Sequence, residues 1–178
     1  MVNTLEKIIK DQEGRSSYKI YCDLDGVLAN FITGIMSTLN ISKEPTQDEI
    51  EEFLSTLEVN SINWWSNLDW QYNGKQLWEI LKYLNTEILT ACPSQCKMHQ
   101  NVIKGKKLWC KKNLNLTSGI NVTTRRGKTR FAAPNHILID DYIKNCNEWK
   151  AAGGFAIHHI DSRRTVKELK DKLLELLG

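Results

Sequence analysis

Residues 19–31, KIYCDLDGVLANF, decide how the rest of this chain is read. The stretch YKIYCDL (18–24) has the aromatic and β-branched content of a short buried strand. It runs into Asp23 and Asp25, one residue apart, and alternate residues of a strand share a face. Two carboxylates side by side gain nothing from a strand end unless they act together on something charged. Gly26 and Val27 follow at once and let the chain turn away.

Outward from this strand the period changes. Phe31, Ile32, Ile35, Met36 and Leu39 recur at helical spacing. TQDEIEEFLSTLE (46–58) opens with Thr46 and carries Glu49 three residues on, a capping box. Its apolar set, Ile50, Phe53, Leu54 and Leu57, lies on one helical face. Residues 30–70 therefore read as a small helical cap inserted after the first strand. From Gly74 onward helices and strands alternate, with strands expected at 86–91 (TEILTA), 119–124 (GINVTT), 136–140 (HILID) and 155–159 (FAIHH). The Gly153–Gly154 pair marks a helix stop before the last strand. Strands separated by helices predict an α/β fold, a Rossmann-like, mostly parallel sheet flanked by helices. Its core would span 18–29 and 71–178, with a helical extension over 1–17.

At 178 residues the chain can bury one respectable core and a small subdomain. A net charge of +3, with both signs mixed along the sequence, gives no strong nucleic-acid signal. No apolar stretch approaches the ~20 residues that span a bilayer, and the N-terminal segment has no signal-peptide core. These features predict a cytoplasmic protein with no membrane partner; a homodimer stays open. Five cysteines, an odd and scattered set, predict reduced thiols rather than a disulfide framework. Cys92, Cys96 and His99 offer a minor zinc reading, but no second ligand pair accompanies them.

Ligands of parallel sheets sit beyond the carboxyl ends of the strands, and the polar residues of interest fall there. Asp23 and Asp25 end the first strand, Thr90 the second, and Asp140–Asp141 a later one, while Arg126 and Lys128 follow the strand between. Converging acids repel one another and push their pKa values up. A divalent cation removes the conflict, and hard oxygen ligands suit Mg²⁺. Lys128 and Arg126 would neutralise an anionic substrate group, for which phosphate is the natural guest.

With these residues in view, the chain resembles the haloacid dehalogenase superfamily. DLDGVLANF (23–31) looks like its first motif, ILTA (88–91) its second, RRGKT (125–129) its third and ILIDD (137–141) its fourth, in that order. The closest look is to the 5′(3′)-deoxyribonucleotidase branch and its phage and bacterial relatives. The resemblance implies a Mg²⁺-dependent phosphatase in which Asp23 is the nucleophile and forms an aspartyl-phosphate. Asp25 would protonate the leaving oxygen and then activate water, Thr90 would bond a phosphoryl oxygen, and Lys128 would offset charge. The implied metal ligands are Asp23, the Asp25 backbone carbonyl and Asp140, with Asp141 in support. The implied substrate is a small phosphomonoester, a nucleoside monophosphate first.

Asn30 and Ala91 depart from the pattern, standing where relatives often carry an acid and a serine. Arg130 lies close enough to Lys128 in sequence to compete for its role. Trp64, Trp65 and Trp70 from NWWSNLDW (63–70) read as anchors of the cap, with Trp65 also a stacking candidate beside Phe31, which matches a base-contacting position of the nucleotidase branch. His158 and His159 read as structural. Lys104, Lys106, Lys107, Lys111 and Lys112 read as one wet helix face. Two other readings stand beside the nucleotidase: a phosphatase for another small phosphomonoester or a polynucleotide end, and a non-catalytic nucleotide-binding module.

Overall fold

A computed structural model of the chain describes residues 18–56, 61–96 and 99–177. The helical extension expected over 1–17, and Leu57 of the second helical stripe, lie outside them. Five strands, β1 (Lys19–Cys22), β2 (Thr86–Ala91), β3 (Ile120–Thr123), β4 (His136–Asp140) and β5 (Phe155–His158), form one parallel sheet in the order β3-β2-β1-β4-β5. Between β1 and β2 come α1 (Phe31–Leu39), α2 (Gln47–Leu54), α3 (Ile62–Ser66) and α4 (Gly74–Leu81). The crossovers that follow are α5 (His99–Leu114), a 3-10 turn over Arg126–Phe131, and α6 (Ile143–Ala151); α7 (Ser162–Leu177) follows β5.

Strand alternation builds two cores. Ile20, Cys22, Ile88, Ile137, Ile139 and Ile157 point to one face and join Leu77, Trp109 and Leu173 from the helices covering it. Tyr21, Leu89, Leu138 and Ala156 point to the other and meet Cys146 and Trp149 of α6. Burial on both faces is why these strands read as near-continuous apolar runs. The helices between β1 and β2 do not stand apart from this. Ile35, Phe53 and Trp65 belong to the same buried cluster as Leu24 and Trp109. Gly105 lets α5 lie against α3, because a Cβ there would come within 2.6 Å of Trp65 Cβ and 2.7 Å of the Ile62 carbonyl oxygen.

The local signals are met where they were read. Glu49 N–H donates to Thr46 Oγ1 at 3.3 Å and Thr46 N–H to Glu49 Oε2 at 2.7 Å, closing the capping box on α2. Asn30 has a structural role: its Oδ1 accepts from Thr33 N–H at 3.1 Å and caps α1. Gly153, at φ +93°, follows the end of α6. Register then fixes the site. Cys22 lies level with Ile88 and with Ile139, so Asp23, Asp25, Thr90, Asp140 and Asp141 all emerge at one end of the sheet.

Candidate active site

Two lysines, both shut away from solvent, organise the carboxylates at this end. Lys128, carried by the 3-10 turn after β3, places Nζ 2.8 Å from Asp23 Oδ2 and 2.7 Å from Asp140 Oδ2. Burial works against its charge, but the Asp23 and Asp140 carboxylates outweigh burial and raise its pKa. Asp23 Oδ1 accepts the Leu24 N–H at 2.8 Å, which fixes the carboxylate as the chain leaves β1. Asp140 is held harder still: Asn145 Nδ2 donates to both its oxygens at 3.0 Å and Tyr142 N–H to Oδ1 at 2.9 Å. Arg130 does not compete for the third-motif position, because it is exposed and lines a different groove, beside Ile120 and Phe131.

The second lysine corrects the sequence reading. Lys104, Lys107, Lys111 and Lys112 are exposed as expected, but Lys106 is fully buried. Its Nζ pairs with Asp25 Oδ2, donates to Thr90 Oγ1 at 3.0 Å and to the Ala91 carbonyl at 2.7 Å, and sits 4.5 Å from the centre of the Trp65 ring. Three acceptors and an aromatic face account for the whole ammonium. The signal was present in the sequence: Lys106 is four residues after Val102 and three before Trp109, squarely on the apolar stripe of α5. A lysine there is fully buried only when its charge is paired. Asn145 was missed as well, and nothing in its spacing announces it.

Asp25 is pinned on one oxygen only. Its Oδ1 is buried and has no hydrogen-bond partner among the described residues. Burial raises its pKa, the Lys106 charge opposes that, and Asp23 adds to it, leaving the carboxyl raised overall.

Asp23, Asp140 and Asp141 can each turn one carboxylate oxygen into a common volume, all within 4.8 Å of one another. Among the described residues this is the one group of acids, histidines or cysteines whose ligand atoms come together so closely; Cys92, Cys96 and His99 do not form one. Asp141 keeps exposed surface, yet enclosure by the protein, then the charges of Asp23 and Asp140, push its carboxyl up to about 8. That crowding of oxygens with too little positive charge fits a hard divalent cation. The Asp25 carboxylate stays outside the trio. Gly26 makes room for it: its φ is +75°, and a Cβ there would overlap the Asp141 carboxyl.

In front of these groups opens a cleft of about 610 Å³, with Asp25 and Asp141 at its base. Phe31, Ile32, Ile50 and Leu54 line one wall; Ala91, Cys92, Thr124 and Arg126 line another. Phe31 and Arg126 thus stand where a substrate could meet them. Trp65 does not: it is fully buried and stacks behind Phe31, centroids 5.7 Å apart and planes 13° from parallel. It braces the Phe31 ring and carries Lys106 rather than facing a ligand. Thr90 is fully buried too, one residue before the cleft-lining Ala91. His159 is a structural histidine, buried and bonded through Nδ1 to Thr165 Oγ1 at 2.8 Å, and burial lowers its pKa. No described helix is long and apolar enough to cross a membrane.

The parallel sheet with helices on both faces is an α/β, Rossmann-like architecture. No family model matches the sequence, and no curated protein matches it. Among solved structures, the chain is similar to a hydrolase from Pseudomonas syringae, with a TM-score of 0.44 and 14% identity, covering 87% of this chain and 99% of that one. It is also similar to a phosphonoacetaldehyde hydrolase-like protein from Oleispira antarctica, with a TM-score of 0.47 and 8% identity, covering 89% of this chain and 85% of that one.

Proposed function

We propose that this chain is a haloacid dehalogenase-type phosphomonoester hydrolase that works through an aspartyl-phosphate and acts first on nucleoside monophosphates. One observation carries the reading: Asp23 and Asp25, separated by a single residue, are each gripped by a different buried lysine, and Asp25 lines the cleft. A lone acid pair on a solvated turn has no use for that arrangement.

Asp23 attacks phosphorus in line, held by the Leu24 N–H and by Lys128, whose charge also offsets the phosphoryl oxygens. Asp25, held at Oδ2 by Lys106, gives its proton to the departing ester oxygen and later takes one from the water that opens the acyl-phosphate. A raised pKa suits the first of these duties and the Lys106 charge suits the second. Lys106 donates to Thr90 Oγ1, so the hydroxyl keeps its own proton to donate, and because Thr90 is buried behind Ala91 a phosphoryl oxygen would have to enter beyond the cleft surface to receive it. Asp23, Asp140, Asp141 and the Asp25 backbone carbonyl would hold Mg²⁺, which when bound neutralises charge on the transferring phosphoryl group. The apolar wall headed by Phe31, braced from behind by Trp65, offers a flat surface to a base.

The test is phosphate release from a panel of nucleoside monophosphates and sugar phosphates, with Mg²⁺ and with chelator. Release from nucleotides that needs Mg²⁺ and falls about a thousandfold or more in Asp23→Asn is expected. Full activity in Asp23→Asn sinks the mechanism. Nucleotide binding without any release points instead to a binding module.

A further inference from the structure

Basic charge that averages out along the sequence is gathered on one side of the sheet. Lys104, Lys107 and Lys111 are exposed and spaced three and four residues apart, so they form a single stripe on α5. At a rise of ~1.5 Å per residue the stripe is about 10 Å long. It borders a groove of about 660 Å³ floored by Leu108, Leu116 and Ile120. Lys107 and Ile120 also line a second groove, of about 490 Å³, which runs past Val122 to Phe131 and has Arg130 among its walls. Together they follow β3, the edge strand of the sheet.

No acid lines either groove. Among the described residues Lys104, Lys107, Lys111 and Arg130 have no ion-pair partner. The neighbouring acid Glu87 is already engaged, by Lys19 at 2.7 Å and by Asn121 at 2.8 Å. The second groove reaches Thr123, and the next residue, Thr124, lines the catalytic cleft beside Arg126.

We infer that the groove along β3 binds the sugar–phosphate backbone of a single-stranded polynucleotide and leads its phosphorylated end toward the cleft. The three lysines of the stripe offer up to three cationic contacts to the phosphates of one strand. The floor is apolar, with Leu108 48% exposed and Phe131 part-buried, and unstacked bases need such a surface. A duplex keeps its bases inside and leaves that floor bare; a flat bilayer does not enter a concave groove. Delivery of the end to the cleft rests on the phosphomonoesterase reading, whereas binding in the groove does not.

The experiment has a binding arm and a catalytic arm. Fluorescence anisotropy follows a fluorescein-labelled 12-nucleotide oligothymidylate bearing a 3′-phosphate, without divalent cation, at about 50 mM salt. Wild type is expected to bind with log affinity falling against log salt at about −0.7 per phosphate contacted, roughly −2 in all. K104E/K107E/K111E weakens binding at least about tenfold and flattens that slope. The glutamine triple, which adds no repulsion, also flattens it, and R163E/K167E on α7 changes neither quantity. In the catalytic arm the triple reversal lowers kcat/KM about tenfold for the oligonucleotide and leaves it unaltered for a mononucleotide. No binding at this salt, equal loss in the α7 variant, or preference for a duplex or for phosphatidylserine vesicles overturns the inference. Groove-dependent binding without phosphate release from any substrate upholds the groove and defeats the phosphomonoesterase reading. Mononucleotide turnover without oligonucleotide binding does the reverse.

Discussion

Lys128 and Lys106 are buried at the same end of the same sheet, yet they are held in opposite ways. Lys128 bridges two carboxylates, Asp23 and Asp140, which are themselves fixed by backbone N–H groups and by Asn145. Lys106 arrives on a helix and meets one carboxylate, one hydroxyl, one carbonyl and one aromatic face. The first is an electrostatic keystone, needed because acids converge at strand ends. The second is a positioning group, which fixes one oxygen of Asp25 while the other is buried without a partner among the described residues.

Lys128→Met is expected to have the largest effect. It strands two buried carboxylates, and removing one partner of a buried pair costs about 3–5 kcal/mol. Chemical denaturation in chelator measures this, and Mg²⁺ should restore part of the stability while phosphate release stays near background. A loss under about 1 kcal/mol would mean that the carboxylates do not depend on the lysine.

Lys106→Met should be milder and of a different kind. Asp25 remains partly exposed, so the stability loss is smaller, but its orientation is lost and turnover falls about a hundredfold. Added Mg²⁺ should not rescue it, and the pH–rate profile should shift its limb for Asp25. Identical responses of the two lysine variants to Mg²⁺ would erase the distinction between them. Gly105→Ala tests the same arm from behind, since a Cβ pressed on Trp65 and Ile62 must displace the helix carrying Lys106. It should cost about 1–3 kcal/mol and lower turnover in the same direction.

The smallest effect is in pH. In chelator, Asp141 is raised to about 8, so the native chain binds a proton that the unfolded chain has released. That contribution is complete below the ordinary carboxylate pKa of about 3.9 and is lost as pH rises through about 8. Asp141→Asn should therefore flatten the decline of the thermal midpoint between pH 5 and 8.5, as should saturating Mg²⁺ in wild type. An unchanged slope in Asp141→Asn would show that the carboxyl is not crowded in solution.

Much of this was legible in the sequence because it is local. Short apolar, β-branched runs and helical spacing point to the five strands and the helices between them, and Thr46–Glu49 and Gly153 mark helix ends through bonds or angles made within a few residues. Asp23, Asp25, Thr90, Lys128, Asp140 and Asp141 could be named because parallel strands deliver their ends to one edge. Lys106 was misjudged because five lysines on one helix look alike until the helix face is known. Trp65 stands in the sequence as both cap anchor and stacking candidate, because a large aromatic near a cleft can brace it or line it, and composition does not say which; its burial decides for the anchor.

What the sequence determined by itself was therefore everything set by backbone periodicity and chain direction: the strands, their parallel order of use, and the acids at their ends. Tertiary structure alone decided what depends on the rotation and approach of helices. The close contact of α5 with α3 at Gly105 turns Lys106 inward onto Asp25 and Trp65, and it turns Lys104, Lys107 and Lys111 outward along the edge strand. A rotation of one helix by a single residue moves a side chain about 100° around the axis, and no local propensity fixes that choice.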